Sequence, residues 1–128
     1  MTEMSVDYLT GEIVDAAFKV HYELGPGLYE SVYEAALCVE LKSKGLFFEV
    51  QKPIHVVYKG HDLGLAFRAD ILIENQVLVE LKSVEILHKV HYKQVQTYLK
   101  LSKLRHGLLF NFNEALIKDG IHRIINGY

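Results

Sequence analysis

The chain has 128 residues, half of them hydrophobic and 23% charged, with a formal net charge of −2. That length holds one domain, expected to span residues 1–128, and the apolar share excludes a disordered or low-complexity chain. Sixteen acids against fourteen bases exclude binding to a polyanion by bulk charge alone, so any phosphate contact must come from a local patch or a bound cation.

In chain order, Thr2, Glu3 and Asp7 interrupt any apolar leader. Thr10 is expected to cap a first helix, with Glu12 in its first turn, where the helix dipole favours an anion. Ile13, Ala16, Ala17, Val20 and Leu24 recur at helical spacing until Gly25-Pro26-Gly27 ends the run. A second helix is expected from about Leu28. Val32, Ala35, Ala36, Val39 and Leu41 form its apolar stripe, Lys42 and Lys44 complement its last turn, and Gly45 is a left-handed stop. Cys38, the single cysteine, reads as a small core residue of that helix; it has no partner for an internal disulfide, and a cytoplasmic setting is expected.

Strand chemistry follows. Phe47, Phe48 and Val50 favour extended backbone, and Pro53 confines that segment to an edge or a break. Ile54, Val56 and Tyr58 alternate with His55, Val57 and Lys59, and Lys59-Gly60-His61-Asp62 reads as a turn. Leu65, Phe67, Ala69, Ile71 and Ile73 should then point one way, and Ala66, Arg68, Asp70 and Leu72 the other. Glu74-Asn75-Gln76 is a turn into a strand over Val77–Lys82. A third helix is expected over roughly His88–Ser102, then a buried strand over Gly107–Phe112 and a last one over Ile121–Ile125 after Asp119-Gly120. Strands followed by a crossover helix and another strand predict an α/β fold with a mixed sheet flanked by helices. The longest apolar runs fall far short of the ~20 residues that span a bilayer, so no membrane partner is expected.

The informative chemistry lies in the hairpin that holds Asp70 and Glu80-Leu81-Lys82. Glu80 and Lys82 share a strand face, with Leu81 on the other. A three-residue loop over 74–76 would pair Ile73 with Val77 and bring Asp70 opposite Glu80, with Cβ atoms about 4.5–5.5 Å apart. Two carboxylates that close repel unless a cation lies between them, and hard oxygen donors favour Mg²⁺ or Mn²⁺. A lysine two residues on completes an arrangement suited to phosphodiester hydrolysis, the cation polarising phosphate and water and the amine orienting the nucleophile. The same residues also fit a solvated sheet face with a salt bridge, although acids among Ile, Leu and Val are costly to leave unpaired.

Gly27-Leu28-Tyr29-Glu30-Ser31-Val32-Tyr33 reads GxxExxY, and Gln51-Lys52, Arg68-Ala69-Asp70, Glu80-Leu81-Lys82, Gln94, Tyr98-Leu99-Lys100, Gly107-Leu108-Leu109 and Asn111-Phe112-Asn113 follow it. In these stretches the chain resembles a small bacterial and archaeal family named for GxxExxY, over nearly its whole length after about Thr10. That family is similar to a minimal PD-(D/E)XK nuclease, so the resemblance implies a restriction-endonuclease-like core in the order αβββαβ, in agreement with the periodicity. It implies that Asp70 and Glu80 bind the metal, with the Leu81 carbonyl as a further ligand, and that Lys82 is the catalytic lysine. Glu30 matches an additional acid near the metal, and Gln94-x-x-x-Tyr98 resembles the QxxxY motif of RecB-like nucleases. The proline usual before the first acid is replaced here by Ala69.

Arg68 is a candidate for holding a scissile phosphate, or else for an ion pair with one of the acids. Tyr33 reads as a packing and hydrogen-bonding residue. His88 and His91 lie at i, i+3, but no cysteine completes a zinc site. The expected function is a divalent-metal-dependent nuclease acting on nucleic acid, DNA in preference to RNA. The alternatives are a non-catalytic nucleic-acid- or protein-binding module on the same scaffold, or hydrolysis of a small phosphoester. A chain this short would draw substrate selection from a homodimer or a partner protein.

Overall fold

The computed structural model describes residues 4–127, so the reading of Thr2 and Glu3 lies outside the described residues. Helix α1 (Val6–Leu24) starts at Ser5, whose hydroxyl accepts the Tyr8 amide at 3.2 Å. Thr10, the expected cap, is buried inside the helix, because Leu9 extends the apolar stripe of Ile13, Ala16, Ala17 and Val20 by one turn. Gly25, at φ 69°, ends α1 as expected.

Helix α2 (Glu30–Ser43) starts two residues after Leu28 and buries Tyr33, Leu37 and Leu41. Of the expected stripe only Leu41 is buried; Val32, Ala35 and Val39 face outward. The tyrosine is the anchor that displaces it. Its ring stacks on Phe112 with centroids 4.5 Å apart, and its hydroxyl donates to the Gly25 carbonyl at 2.6 Å and accepts the Leu28 amide at 3.1 Å. Gly45 takes φ 73° just after the helix, the left-handed stop read from sequence.

Five strands form one mixed sheet in the order β1 (Phe48–Tyr58), β2 (His61–Ile73), β3 (Val77–Lys82), β4 (His106–Asn111), β5 (Ile121–Ile125). Neighbours are antiparallel except β3 and β4, which run parallel and are joined through helix α3 (Lys89–Ser102). From α2 to β4 the order is αβββαβ. A short 3₁₀ turn over Ile117–Gly120 stands where Asp119-Gly120 was expected to turn. Pro53 does not break β1; it sits within the edge strand, paired with Arg68. The loop 74–76 joins Ile73 to Val77 in register, with Glu74 and Asn75 at φ 52° and 55°.

One face of the sheet packs on α1 and α2 through Ile71, Ile73, Val77, Val79, Leu81, Leu108 and Phe110. The other packs on α3, where Val95 and Leu99 meet Ala69, Leu78 and Leu109. Gly107 allows this approach, since a Cβ there would lie 3.0 Å from Val95. Ala69 and Ile71 therefore belong to opposite faces, which corrects the expected single alternation from Leu65 to Ile73. The switch lies at Asp70, opposite Gln51 at φ 50°: these two form no ladder pair, although Val50 with Ile71 and Lys52 with Ala69 keep one register on either side. Among the described residues no helix is long and apolar enough to cross a membrane.

Candidate functional site

The break in alternation is where the acids meet. The β2–β3 ladder runs through Ile71 and Val79 and ends one pair short of Asp70 and Glu80. Side chains replace the backbone bonds beyond it: the Asp70 amide donates to Glu80 Oε1 at 3.2 Å, and the Leu81 amide donates to Asp70 Oδ2 at 2.8 Å. The strands diverge around two reciprocally held carboxyl groups. Glu80 is only 4% exposed. Burial, then the Asp70 charge and a hydrogen bond between the two side chains, push its carboxyl up to about 9, against the Asp70 amide and the Lys82 charge, which pull it down.

Sequence reading alone did not identify what holds Asp70 from the far side. Gln51 Nε2 donates to Asp70 Oδ1 at 3.2 Å and to both carboxylate oxygens of Glu34 on α2, at 3.1 and 3.3 Å. Glu34 lies four residues after Glu30, on the same helix face, and that spacing was the available signal. Gln51 stood among the stretches of the family resemblance without a role.

Lys82 follows at the end of β3, half-buried, and its carbonyl accepts the Phe112 amide at 2.9 Å. The chain leaving it is clamped by Asn111, fully buried, which bonds both the amide and the carbonyl of Val84. Ser83 Oγ donates to the Leu28 carbonyl at 2.6 Å, which draws the start of α2 against the end of β3. Glu30, the first residue of α2, thus stands exposed at the rim of the site. His91 lies between them: burial first, then the charges of Lys82 and His88, hold its imidazolium below its usual range, opposed by Glu30. His91 Nδ1 also accepts the His88 amide at the start of α3.

From α3, Gln94 and Tyr98 lie one helical turn apart, and the Gln94 side chain favours the ionised form of the Tyr98 phenol. Burial, then the charges of Glu80 and Asp70, raise the Tyr98 phenol, which puts both residues beside the acid pair. The Tyr98 ring stacks on Phe67 of β2 at 3.7 Å. Arg68 is placed differently. Its Nη1 donates to the Gln51 carbonyl at 3.2 Å, and among the described residues it forms no ion pair with an acid. The Leu81 side chain is buried in the core, leaving only its backbone to the site.

Among the described residues no group of three or more His, Cys, Asp and Glu is arranged to hold a metal. The donor set instead suits a small hard cation bound by two carboxylates and water, the usual mode for Mg²⁺. A nearly buried carboxyl that keeps its proton to about pH 9 beside a second carboxyl is stabilised by a cation in the proton's place. No curated protein matches the chain by sequence. The family model for the PD-(D/E)XK nuclease superfamily matches residues 7–124, which takes in every residue of the site described above. The chain belongs to the PD-(D/E)XK nuclease superfamily.

Proposed function

We propose that this chain is a divalent-metal-dependent nuclease that hydrolyses phosphodiester bonds in DNA in preference to RNA, with residues 1–128 acting as one catalytic unit. The observation that supports this most is the nearly buried Glu80 carboxyl held against Asp70 where β2 and β3 part. Nucleases of this superfamily generally use divalent metals. Asp70 and Glu80, with the Leu81 carbonyl and with Glu30 directly or through water, would hold Mg²⁺ or Mn²⁺. Such an ion supplies a polarised phosphoryl oxygen and an acidified water.

The chain's own groups do the rest. Lys82 orients the attacking water and offsets charge developing on the phosphoryl oxygens. Gln94 and Tyr98, one helical turn apart beside the acids, align Lys82 and the substrate backbone. Gln51 and Glu34 are positioning residues, because they fix the Asp70 carboxylate from the α2 side. Arg68, with one guanidinium nitrogen on the Gln51 carbonyl, keeps further N–H groups for a phosphate.

The test is cleavage of plasmid, linear duplex and single-stranded DNA and RNA with Mg²⁺ or Mn²⁺. Cutting that needs the metal and disappears in both Asp70→Ala and Lys82→Ala supports the reading. Cutting that survives both substitutions, or no cutting of any polymer, overturns it.

A further inference from the structure

Strands β1 and β2 continue together well past the end of β3, which pairs only with Ile71–Ile73. Ile54 and Phe67 still rest on α3, but every residue from Val57 to Ala66 is exposed. Residues 52–68 therefore form a two-stranded arm rooted beside Asp70. From Pro53 to Tyr58 it extends about 17 Å at ~3.4 Å per residue.

Its charge differs from that of the rest of the molecule. Lys52, Lys59 and Arg68 face one acid, Asp62, in a chain of net charge −2. Lys52 is partly offset by Glu49 at 3.1 Å, which leaves Lys59 and Arg68 as the stronger cations. Lys59 occupies the tip with Gly60, at φ 48° and 80°, between the paired Tyr58 and His61. A two-residue turn with both φ positive favours Asn, Asp or Gly at its first position. A lysine there gives up turn propensity and places an ammonium at the end of the arm.

The register also shifts between His55 and Val57, leaving Leu63-Gly64-Leu65 unpaired. Asp62 Oδ1 accepts the Gly64 amide at 2.9 Å, and Gly64 takes φ 70°. This bulge holds Leu63 and Leu65 outward, 47% and 63% exposed.

We propose that the arm enters the major groove of duplex DNA, with Lys59 and Arg68 on phosphates and Leu63 and Leu65 against base-pair edges; what happens at Asp70 after docking rests on the nuclease reading. A two-stranded ribbon fits the major groove of B-form DNA, about 12 Å wide. The deep, narrow major groove of A-form RNA excludes it. Single strands are gripped by successive aromatic platforms, and the exposed part of the arm has only Tyr58. Pairing with a second copy along β1 is opposed by Pro53, which removes a donor from the free edge, and by the edge lysines.

The test measures affinity for 30-residue duplex and single-stranded DNA and RNA by fluorescence anisotropy over a salt series in EDTA, so that cleavage does not enter. The expected result is tightest binding to duplex DNA. Lys59→Glu with Arg68→Glu weakens it roughly tenfold or more and flattens the salt slope by about 2. Leu63→Ser with Leu65→Ser weakens duplex DNA binding at an unchanged slope. All of these positions are exposed, and circular dichroism checks that the variants fold. The proposal is overturned if the variants bind duplex DNA within twofold of the parent, if duplex RNA binding falls equally, or if the parent binds none of the polymers. It is also overturned if light scattering finds a dimer that the leucine variant turns into monomer. Metal-dependent cutting with arm-independent affinity removes the arm and leaves the nuclease reading standing. Arm-dependent binding without cutting supports the arm and removes the nuclease reading.

Discussion

The two halves of β2 differ more from each other than either does from a neighbouring strand. From His61 to Arg68 only Phe67 has substantial cover, and the basic groups sit there and on β1 opposite. From Ala69 to Ile73 the strand is covered by helices on both faces, and the one polar residue in it, Asp70, is bonded on both carboxylate oxygens. The seam is the Gln51 irregularity. The lesson is that burial on both faces converts an acid from a surface feature into a chemical one: Glu80, across from this seam, keeps its proton to about pH 9 because water is excluded from it.

That contrast can be broken by experiment. If the chemistry is confined to the covered half, Lys82→Ala or Asp70→Ala lowers single-turnover cleavage by about 10²–10⁴-fold at saturating DNA, while Leu65→Ala does not. A comparable loss in Leu65→Ala would erase the distinction. Stability should divide the same way. Leu78→Ala, in the α3 core, costs about 2–5 kcal/mol in urea denaturation, whereas Leu65→Ala stays within about 0.5 kcal/mol.

An intermediate effect is pH-dependent. In EDTA the parent loses stability relative to Glu80→Gln as pH rises from about 4.5 towards about 9, because the unfolded chain releases this proton near 4.5 and the folded chain holds it to about 9. Melting temperatures that keep a constant difference from pH 5 to 9 would refute that assignment. A smaller change than this is expected in the arm. Gly64→Ala costs about 1 kcal/mol, from backbone conformation alone, since an added Cβ there meets nothing within 4 Å.

Much of the sheet was legible because strand side chains alternate and turns declare themselves. The loop 74–76 and the spacing of Glu80 and Lys82 were enough to bring Asp70 to Glu80. The alternation failed at Asp70, where the facing residue with a positive φ is Gln51, nineteen residues away in sequence, and a glutamine carries no local sign of a positive φ. The Gln51 bridge to Glu34 was hidden for the same reason: it joins an edge strand to a helix and leaves no period in either. Ser5 rather than the expected Thr10 caps α1 because Leu9 carries the apolar stripe one turn further back, and the α2 face differs from the expected stripe because Tyr33 and Leu37 are buried in place of Val32, Ala35 and Val39. Pro53, by contrast, confined its segment to an edge or a break, and β1 is the edge strand along which the arm runs.

The Tyr33 hydroxyl spans the turn between α1 and α2, tied to Gly25 on one side and Leu28 on the other, while its ring leans on Phe112. It works as a gauge block: the width of one phenol sets how far along its axis α2 can begin. Glu30 is three residues upstream of it, so the reach of that carboxylate towards the fork is metered by a side chain that no substrate touches.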